Sequence, residues 1–431
     1  MERRLPDMIG IILFGVFFLL VFLNVPIAVS LGISTMLAIL AGGFPMTMVS
    51  HIMLSSIAKF SLLAIPFFIL AGVIMDYAGI SKRLINLAQA FVGHTKSGLV
   101  AVVVIVACFF AAISGSGPAT VAALGTILIP AMVKAGYDRS LSTALMSASG
   151  AIGIIIPPSI AFIVYASIAN VSVGKLFAGG IIPGILIGIS FIIAALWDSR
   201  NNPNIKRMPK ASSEERWKAF KDAVWGLIMP VIILGGIYSG IFTPTEAAGV
   251  SVIYGFVVGV FVYREIKLRD LPKILYESAI SSATVMYIIA AASLFAWILS
   301  VSHVAGDLSA ALLSVSENKY VILLLVNIIF LIAGCFLEPN SAFYILIPII
   351  VPVFRKLDIS LLHAGVFLTV NMALGLITPP VGINLYVGCN IAHAPVSEVC
   401  KKIVPFLAAG IVVLLLITYI PSIVMFLPNM L

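Results

Sequence analysis

Residues 371–384 read NMALGLITPPVGIN, and residues 149–158 read SGAIGIIIPP. Each stretch carries a polar residue, a glycine and a double proline through an otherwise apolar run. The two register without a gap: Gly153 pairs with Gly375, Pro157 with Pro379 and Pro158 with Pro380, 222 positions apart in every case. The same offset carries Pro130 onto Pro352, Lys134 onto Lys356, and Ser116–Ala119 onto Glu338–Ser341. Proline lacks a backbone N–H and clashes with the preceding turn, so each double proline breaks a helix in the middle of an apolar segment. The chain therefore reads as a duplication in which each copy holds one broken helix.

The apolar background fixes the solvent. Of 431 residues, 61% are hydrophobic and only 10% charged, and the mean hydropathy is +1.19. A water-soluble fold would have to expose far more apolar surface than water tolerates. Stretches such as Lys175–Trp197, Glu246–Tyr263 and Pro405–Leu427 approach or exceed the roughly 20 residues that span a bilayer, and about ten spans are expected. These must be helices, because their backbone hydrogen bonds have to close inside the segment. The first apolar run, Ile9–Gly43, is too long for a cleaved signal and reads as mature structure. Cys108, Cys335, Cys389 and Cys400 show no CxxC spacing and are expected as small hydrophobes. The net charge of +8 would suggest nucleic acid in a soluble protein, but here the basic residues cluster in loops between spans, so no nucleic-acid role is expected.

Those loops set an orientation. Asp198–Asp222 carries Arg200, Lys206, Arg207, Lys210, Arg216, Lys218 and Lys221, which assigns it to the cytoplasm. Counting outward puts Lys82, Arg83, Lys96, Lys134 and Arg139 inside, along with Arg264, Lys267, Arg269 and Lys273. Arg3, Arg4, Arg355 and Lys356 fall outside, against the rule.

Two further interruptions, Ser114–Pro118 and Leu337–Ser341, read as the tips of re-entrant hairpins. On the charge count the first hairpin opens toward the cytoplasm and the second toward the outside, which inverts one repeat relative to the other. Inverted repeats with broken helices meeting near the midplane are the architecture of secondary transporters. The expected class is an all-α integral membrane protein with two re-entrant hairpins and two broken helices. Its first repeat covers residues 1–200, with scaffold helices in 1–60 and arm and transport elements in 61–200. A cytoplasmic linker occupies 201–222. The second repeat covers 223–431, with scaffold helices in 223–276 and transport elements in 277–431. Amphipathic surface helices are expected at Met46–Lys59 and Arg264–Tyr276, as connectors or bracing arms.

Each tip and the broken helix beside it can supply oxygen ligands to a small hard cation, since carbonyls at the carboxyl end of a half-helix carry the negative end of its dipole. Ser114, Ser116 and Ser149, with carbonyls around Gly150, Gly153 and Pro157, form the first candidate sodium site. Asn340, Ser341, Asn371 and Thr378, with carbonyls around Gly375, form the second, and Glu338 is expected to organise it. The bland alternative is that these small residues only permit close packing or kinks. Duplication of the placement favours ion binding. Substrate is expected between the tips, where the half-helix amino ends after Gly117 and Asn340 suit a carboxylate. Its candidate contacts are Ser116, Gly117, Pro118, Asn340 and Ser341, with Pro158, Pro380 and Asn384 from the broken helices.

At Ser114–Thr120, Ser149–Ser159, Glu338–Ala342 and Asn371–Asn384 the chain resembles the large membrane subunit of tripartite ATP-independent periplasmic (TRAP) transporters, over essentially its whole length. The resemblance implies an elevator-type importer driven by sodium ions. It also implies two partners, a small four-helix membrane subunit and a periplasmic binding protein that delivers an organic acid of the sialic acid or C4-dicarboxylate class. The implied location is the bacterial inner membrane. No extra spans are fused before Ile9, so the small subunit is expected as a separate chain. Rival readings are a stand-alone anion symporter or exchanger, a passive channel, and an intramembrane hydrolase using Ser116. The last lacks an accompanying base motif, and His51, His94, His303, His363 and His393 mostly fall near predicted helix ends.

Overall fold

The computed structural model describes residues 4–95, 97–200, 202–205 and 209–431. Arg3, Lys96, Lys206 and Arg207, which entered the charge count, lie outside these residues. In the first repeat α1 (Arg4–Phe22) and α2 (Ile27–Ala41) turn back on each other, and α3 (Thr47–Ile57) and a 3-10 turn lead into α4 (Ala64–Tyr77). A short connector, α5 (Ile80–Val92), joins α4 to a hairpin of α6 (Gly98–Ser114) and α7 (Gly117–Lys134). Two halves of an interrupted helix follow, α8 (Arg139–Ala151) and α9 (Ile160–Ala169), and α10 (Val173–Ser199) closes the repeat.

The second repeat repeats that order. It contains α11 (Ser213–Tyr238), α12 (Pro244–Val257), α13 (Leu271–Val301) and the connector α14 (Val304–Val315). Then come the hairpin α15 (Lys319–Gly334) and α16 (Pro339–Lys356), the half-helices α17 (Leu361–Gly375) and α18 (Ile383–Ala392), α19 (Val396–Tyr419) and the short α20 (Pro421–Met425). No strand occurs among the described residues.

Local chemistry sets the breaks. Gly115 ends α6 with φ +60, a left-handed conformation that is strained for a residue with a β-carbon, and Pro118 sits in the first turn of α7, where a missing N–H costs nothing. Pro339 opens α16 in the same way. Ser159 restarts the first broken helix: its hydroxyl accepts from the Phe162 N–H and donates to the Ile154 carbonyl. Both double prolines adopt a cis peptide, at Pro157–Pro158 and at Pro379–Pro380.

Among the described residues seven helical segments are long and apolar enough to cross a bilayer. One of these is the hairpin arm α7; α1, α2 and the two broken pairs α8–α9 and α17–α18 bring the crossings to the ten expected from hydropathy.

Packing gathers the helices into two groups, which also touch one another directly through α13–α16 and α4–α6. α2, α4, α11, α12 and α13 form a chain of neighbours through the pairs α4–α12, α4–α13, α2–α13 and α11–α12, with α1 against α2. The hairpins and broken helices form the other, through α7–α8, α7–α18, α9–α16, α15–α17, α8–α19 and α10–α19. α4 and α13, which make these contacts with the hairpins, also pack with the scaffold helices. One feature departs from expectation: Arg264–Tyr276 is not a separate surface helix, because past Pro272 no glycine or proline interrupts the segment, and α13 runs unbroken from Leu271 to Val301. Within the segment 201–222 the chain is helical from Ser213, where Ser212 and Glu215 form a capping box that starts α11. Two short helices, α5 and α14, also lie between the groups, each preceded by a left-handed residue, Gly79 (φ +69) and His303 (φ +61).

Candidate ion and substrate site

The first tip is a knot of hydroxyls and backbone. Thr120 Oγ1 donates to the Ser116 carbonyl at 2.7 Å and lies 3.0 Å from Ser114 Oγ, which in turn accepts from the Ser116 N–H at 3.4 Å. The broken helix of the same repeat presses on this knot with no side chain between. A β-carbon on Gly153 would lie 2.7 Å from the Ser116 carbonyl oxygen and 2.9 Å from Thr120 Oγ1. One on Gly150 would lie 3.2 Å from the Gly117 carbonyl oxygen, and one on Gly115 would lie 2.8 Å from that of Pro158. These glycines thus serve close approach, and the approach gathers the tip carbonyls, Ser114, Ser116, Gly150, Gly153 and Pro158 in one place. Ser149 is fully buried, and its hydroxyl has no hydrogen-bond partner.

The second tip is built differently. Asn340 Nδ2 donates to Glu338 Oε1 at 2.8 Å, which ties the acid to the first turn of α16 and leaves Asn340 Oδ1 buried and unpartnered, as is the hydroxyl of the fully buried Ser341. Asn371 Nδ2 donates to the Asn327 carbonyl and to its Oδ1, both at 2.9 Å, so Asn371 Oδ1 also lacks a partner. Asn327 passes the link on to Thr418 Oγ1 at 3.1 Å. Gly375 packs against Gly334 of α15, where a β-carbon would lie 2.6 Å from the neighbouring Cα. Thr378 Oγ1 donates to the Leu374 carbonyl at 2.7 Å and keeps its lone pairs free.

An orphaned buried oxygen loses about 1–3 kcal/mol of hydration, so those at the second tip (Asn340, Ser341) and on the broken helices (Ser149, Asn371, Asn384) call for a ligand. Oxygen atoms of neutral side chains and carbonyls suit a hard monovalent ion. No group of three or more His, Cys, Asp or Glu residues that could hold a metal occurs among the described residues.

A cavity of about 530 Å³ lies where the two helix groups meet, and both tips line it: Gly115, Ser116 and Pro118 from the first, Glu338, Pro339 and Asn340 from the second. Pro26 and the first residues of α2, Ile27, Ala28 and Val29, with Thr284, Val285, Tyr287 and Ile288 of α13, form the facing wall. Of the predicted substrate contacts, Ser116, Pro118 and Asn340 reach this cavity. Gly117, Ser341, Pro158, Pro380 and Asn384 do not line it. Gly117 packs against the Asn384 side chain, Ser341 is fully buried, and Pro158 lies under Gly115. Pro380 is exposed although its counterpart Pro158 is buried. Asn384 instead joins the repeats: its Nδ2 donates to the Ser147 carbonyl and its own carbonyl accepts from Ser147 Oγ, both at 3.1 Å.

Sequence reading missed Thr120, Ser147 and Asn327. Thr120 had a signal, since it follows Ser116 by one helical turn; the other two had none, because their partners lie in distant segments.

A family model described as "Tripartite ATP-independent periplasmic transporter, DctM component" matches residues 14–423. The chain belongs to this family. It is a multi-pass transport permease of the bacterial inner membrane and not an enzyme, which removes the hydrolase reading of Ser116. A C4-dicarboxylate TRAP transporter large permease protein from Rhodobacter capsulatus is 39% identical over 439 residues, covering 98% of this chain and 100% of that protein. An isethionate TRAP transporter permease protein from Oleidesulfovibrio alaskensis is 43% identical over 421 residues, or 96% of this chain, which spans 66% of that longer protein. In fold, this TRAP permease is similar to the YdaH transporter of Alcanivorax borkumensis, with a TM-score of 0.61 at 16% sequence identity over 85% of this chain and 86% of that one.

Proposed function

We propose that this large permease imports an organic acid into the cell, driven by sodium ions bound at the two hairpin tips. One observation carries the reading: a single cavity is lined by both tips, and behind each tip lie buried oxygen atoms that no protein group satisfies. The first sodium site uses Ser114, Ser116, Ser149 and carbonyls near Gly150 and Gly153, with Thr120 fixing the tip. The second uses Asn340, Ser341, Asn371 and Thr378, with Glu338 orienting Asn340. The amino ends of α7 and α16 begin at this cavity, and their dipoles favour a carboxylate or sulfonate between them. The substrate is then an organic acid of the class that TRAP relatives are named for, among them C4-dicarboxylates and isethionate, or sialic acid.

Transport proceeds by an elevator movement in which the hairpins and broken helices shift as one body against the scaffold helices, with α5 and α14 as the connecting arms. A periplasmic binding protein delivers the substrate, and a small four-helix membrane subunit enlarges the scaffold. The energetics are adequate. A tenfold sodium gradient supplies about 1.4 kcal/mol per ion and each net charge moved gains about 2.3 kcal/mol per 100 mV. Two ions with a monoanion therefore provide about 5 kcal/mol, enough for an accumulation of several thousandfold.

The test is uptake into proteoliposomes containing this chain with its small subunit. Isethionate, a C4-dicarboxylate and sialic acid are compared with and without a sodium gradient and the binding protein. Uptake that needs both supports the reading. Uptake indifferent to sodium rejects the ion sites, and uptake without any binding protein favours a stand-alone symporter.

A further inference from the structure

A second pocket, about 480 Å³ in volume and sharing no lining residue with the tip cavity, lies where connector α5 meets the middle of α11 and the segment after α12. α5 contributes Lys82, Arg83 and Asn86, α11 contributes Lys221, Asp222 and Trp225, and the segment after α12 contributes Val262, Tyr263 and Glu265. The charge count assigns this level to the cytoplasmic face.

Its lining is organised. Arg83 lies with its guanidinium carbon 3.8 Å from the centre of the Tyr263 ring, donates to Glu265 at 3.2 Å and also donates to the carbonyls of Ala78 and Gly79, both at 3.0 Å. Tyr263 in turn donates its hydroxyl to the Asp222 carbonyl at 2.7 Å. Arg83 and Glu265 therefore hold one another. Of the remaining charges, Lys82 and Lys221 form no ion pair among the described residues, while Asp222 brings one acid. Three basic groups against two acids leave the pocket with one uncompensated positive charge, which matches the single negative charge of a phosphodiester.

The rest of the lining indicates which phosphodiester. Trp225 and Val262 are 41% and 40% exposed, so an occupant must present apolar surface next to its charge. Tryptophan and tyrosine at this level belong to the interfacial belt where lipid headgroups sit, and basic pockets between helices on the cytoplasmic side suit anionic headgroups. Free phosphate would meet the charge but leave the apolar wall uncovered.

We infer that this pocket binds the phosphate headgroup of an anionic phospholipid, which bridges the connector α5 to scaffold helices α11 and α12. The lipid supplies the counter-charge to Lys82 and Lys221 that the protein lacks, and its acyl chains cover Trp225 and Val262. Because α5 also leads into the first hairpin, the headgroup sits at the joint between the two helix groups.

The experiment uses the full chain purified in detergent, titrated with phosphatidylglycerol, phosphatidylcholine or inorganic phosphate and followed by native mass spectrometry and thermal unfolding. Phosphatidylglycerol is expected to be retained and to raise the unfolding temperature, with neither effect from phosphatidylcholine or inorganic phosphate. The exposed pair Lys82→Gln and Lys221→Gln should weaken phosphatidylglycerol binding about thirtyfold, from roughly one kcal/mol per charge. Asn86→Asp, which adds an acid without changing size, should weaken it as well and provides the reading if the double variant does not fold. Equal phosphatidylglycerol binding in the variants overturns the proposal. So does an equal shift from phosphatidylcholine, which removes the charge requirement, or from inorganic phosphate, which removes the lipid.

Discussion

Ser147 and Asn384 exchange two hydrogen bonds across 237 residues of chain: each accepts on its backbone carbonyl from the other's side chain, both at 3.1 Å. This clamp ties α8 of the first repeat to α18 of the second, and Gly388, one turn beyond Asn384, is the residue that lets the helices close. A β-carbon there would lie 2.5 Å from Ser147 Oγ. Asn384→Leu, close in size but unable to donate, removes the bond to the Ser147 carbonyl, which keeps only the N–H of its own helix. A loss of about 0.5–1.5 kcal/mol is expected, read as a lower unfolding temperature in detergent. An unchanged unfolding temperature would show that the clamp contributes no net stability.

Gly115 is expected to be intolerant for two reasons that can be separated. Its φ of +60 strains any side chain, and a β-carbon would also sit 2.8 Å from the Pro158 carbonyl oxygen. Gly43 shares the first property, with φ +71, but has open space around it. Gly43→Ala should therefore cost only about 1–2 kcal/mol of backbone strain. Gly115→Ala should cost more and should reduce uptake at least tenfold. Equal effects of the two substitutions on stability and uptake would count against the contact between tip and broken helix.

The two tips are expected to act together. Replacing both Ser116 and Asn340 by alanine should abolish sodium-dependent uptake in reconstituted vesicles while gel filtration and helical content stay normal. A double variant whose uptake still rises with sodium as in the parent protein would remove both residues from ion coupling.

Lys402 and Asp198 form an ion pair at 3.0 Å between α19 and α10, with side chains 39% and 21% exposed. Exposure of this order leaves the pair open to screening. A double-mutant cycle with Lys402→Met and Asp198→Asn should give a coupling below about 1 kcal/mol that shrinks as salt is raised. A coupling several times larger and insensitive to salt would mean that water does not reach the pair.

Much of this architecture was legible before any coordinates. Pro157–Pro158 and Pro379–Pro380 break their helices because of covalent geometry alone, and Gly115 and Pro118 turn the chain at the first tip for the same kind of local reason. Pairing at a fixed offset then exposed the duplication. The site was legible only in part. Ser116 and Asn340 reach the common cavity, whereas Asn384 does not line it and bonds to Ser147 of the other repeat, with its side-chain oxygen left buried and unpartnered. Asn327, which holds the Asn371 amide, carries no local signature: it is one polar residue in an apolar helix until α17 packs beside it. The connectors α5 and α14 were overlooked because each is short and amphipathic and merges, in a hydropathy reading, with the spans around it.

The sequence by itself determined where the helices must stop, since proline and glycine act on their own backbone and need no partner. It also determined that these stops come in matched pairs and that the surrounding spans are lipid-embedded. Only the tertiary structure decided which breaks face one another, which glycines serve as contact surfaces, and why Pro158 is buried while Pro380 is exposed. Those outcomes depend on packing between segments some two hundred residues apart, and the packing differs between the halves even where their residues are the same.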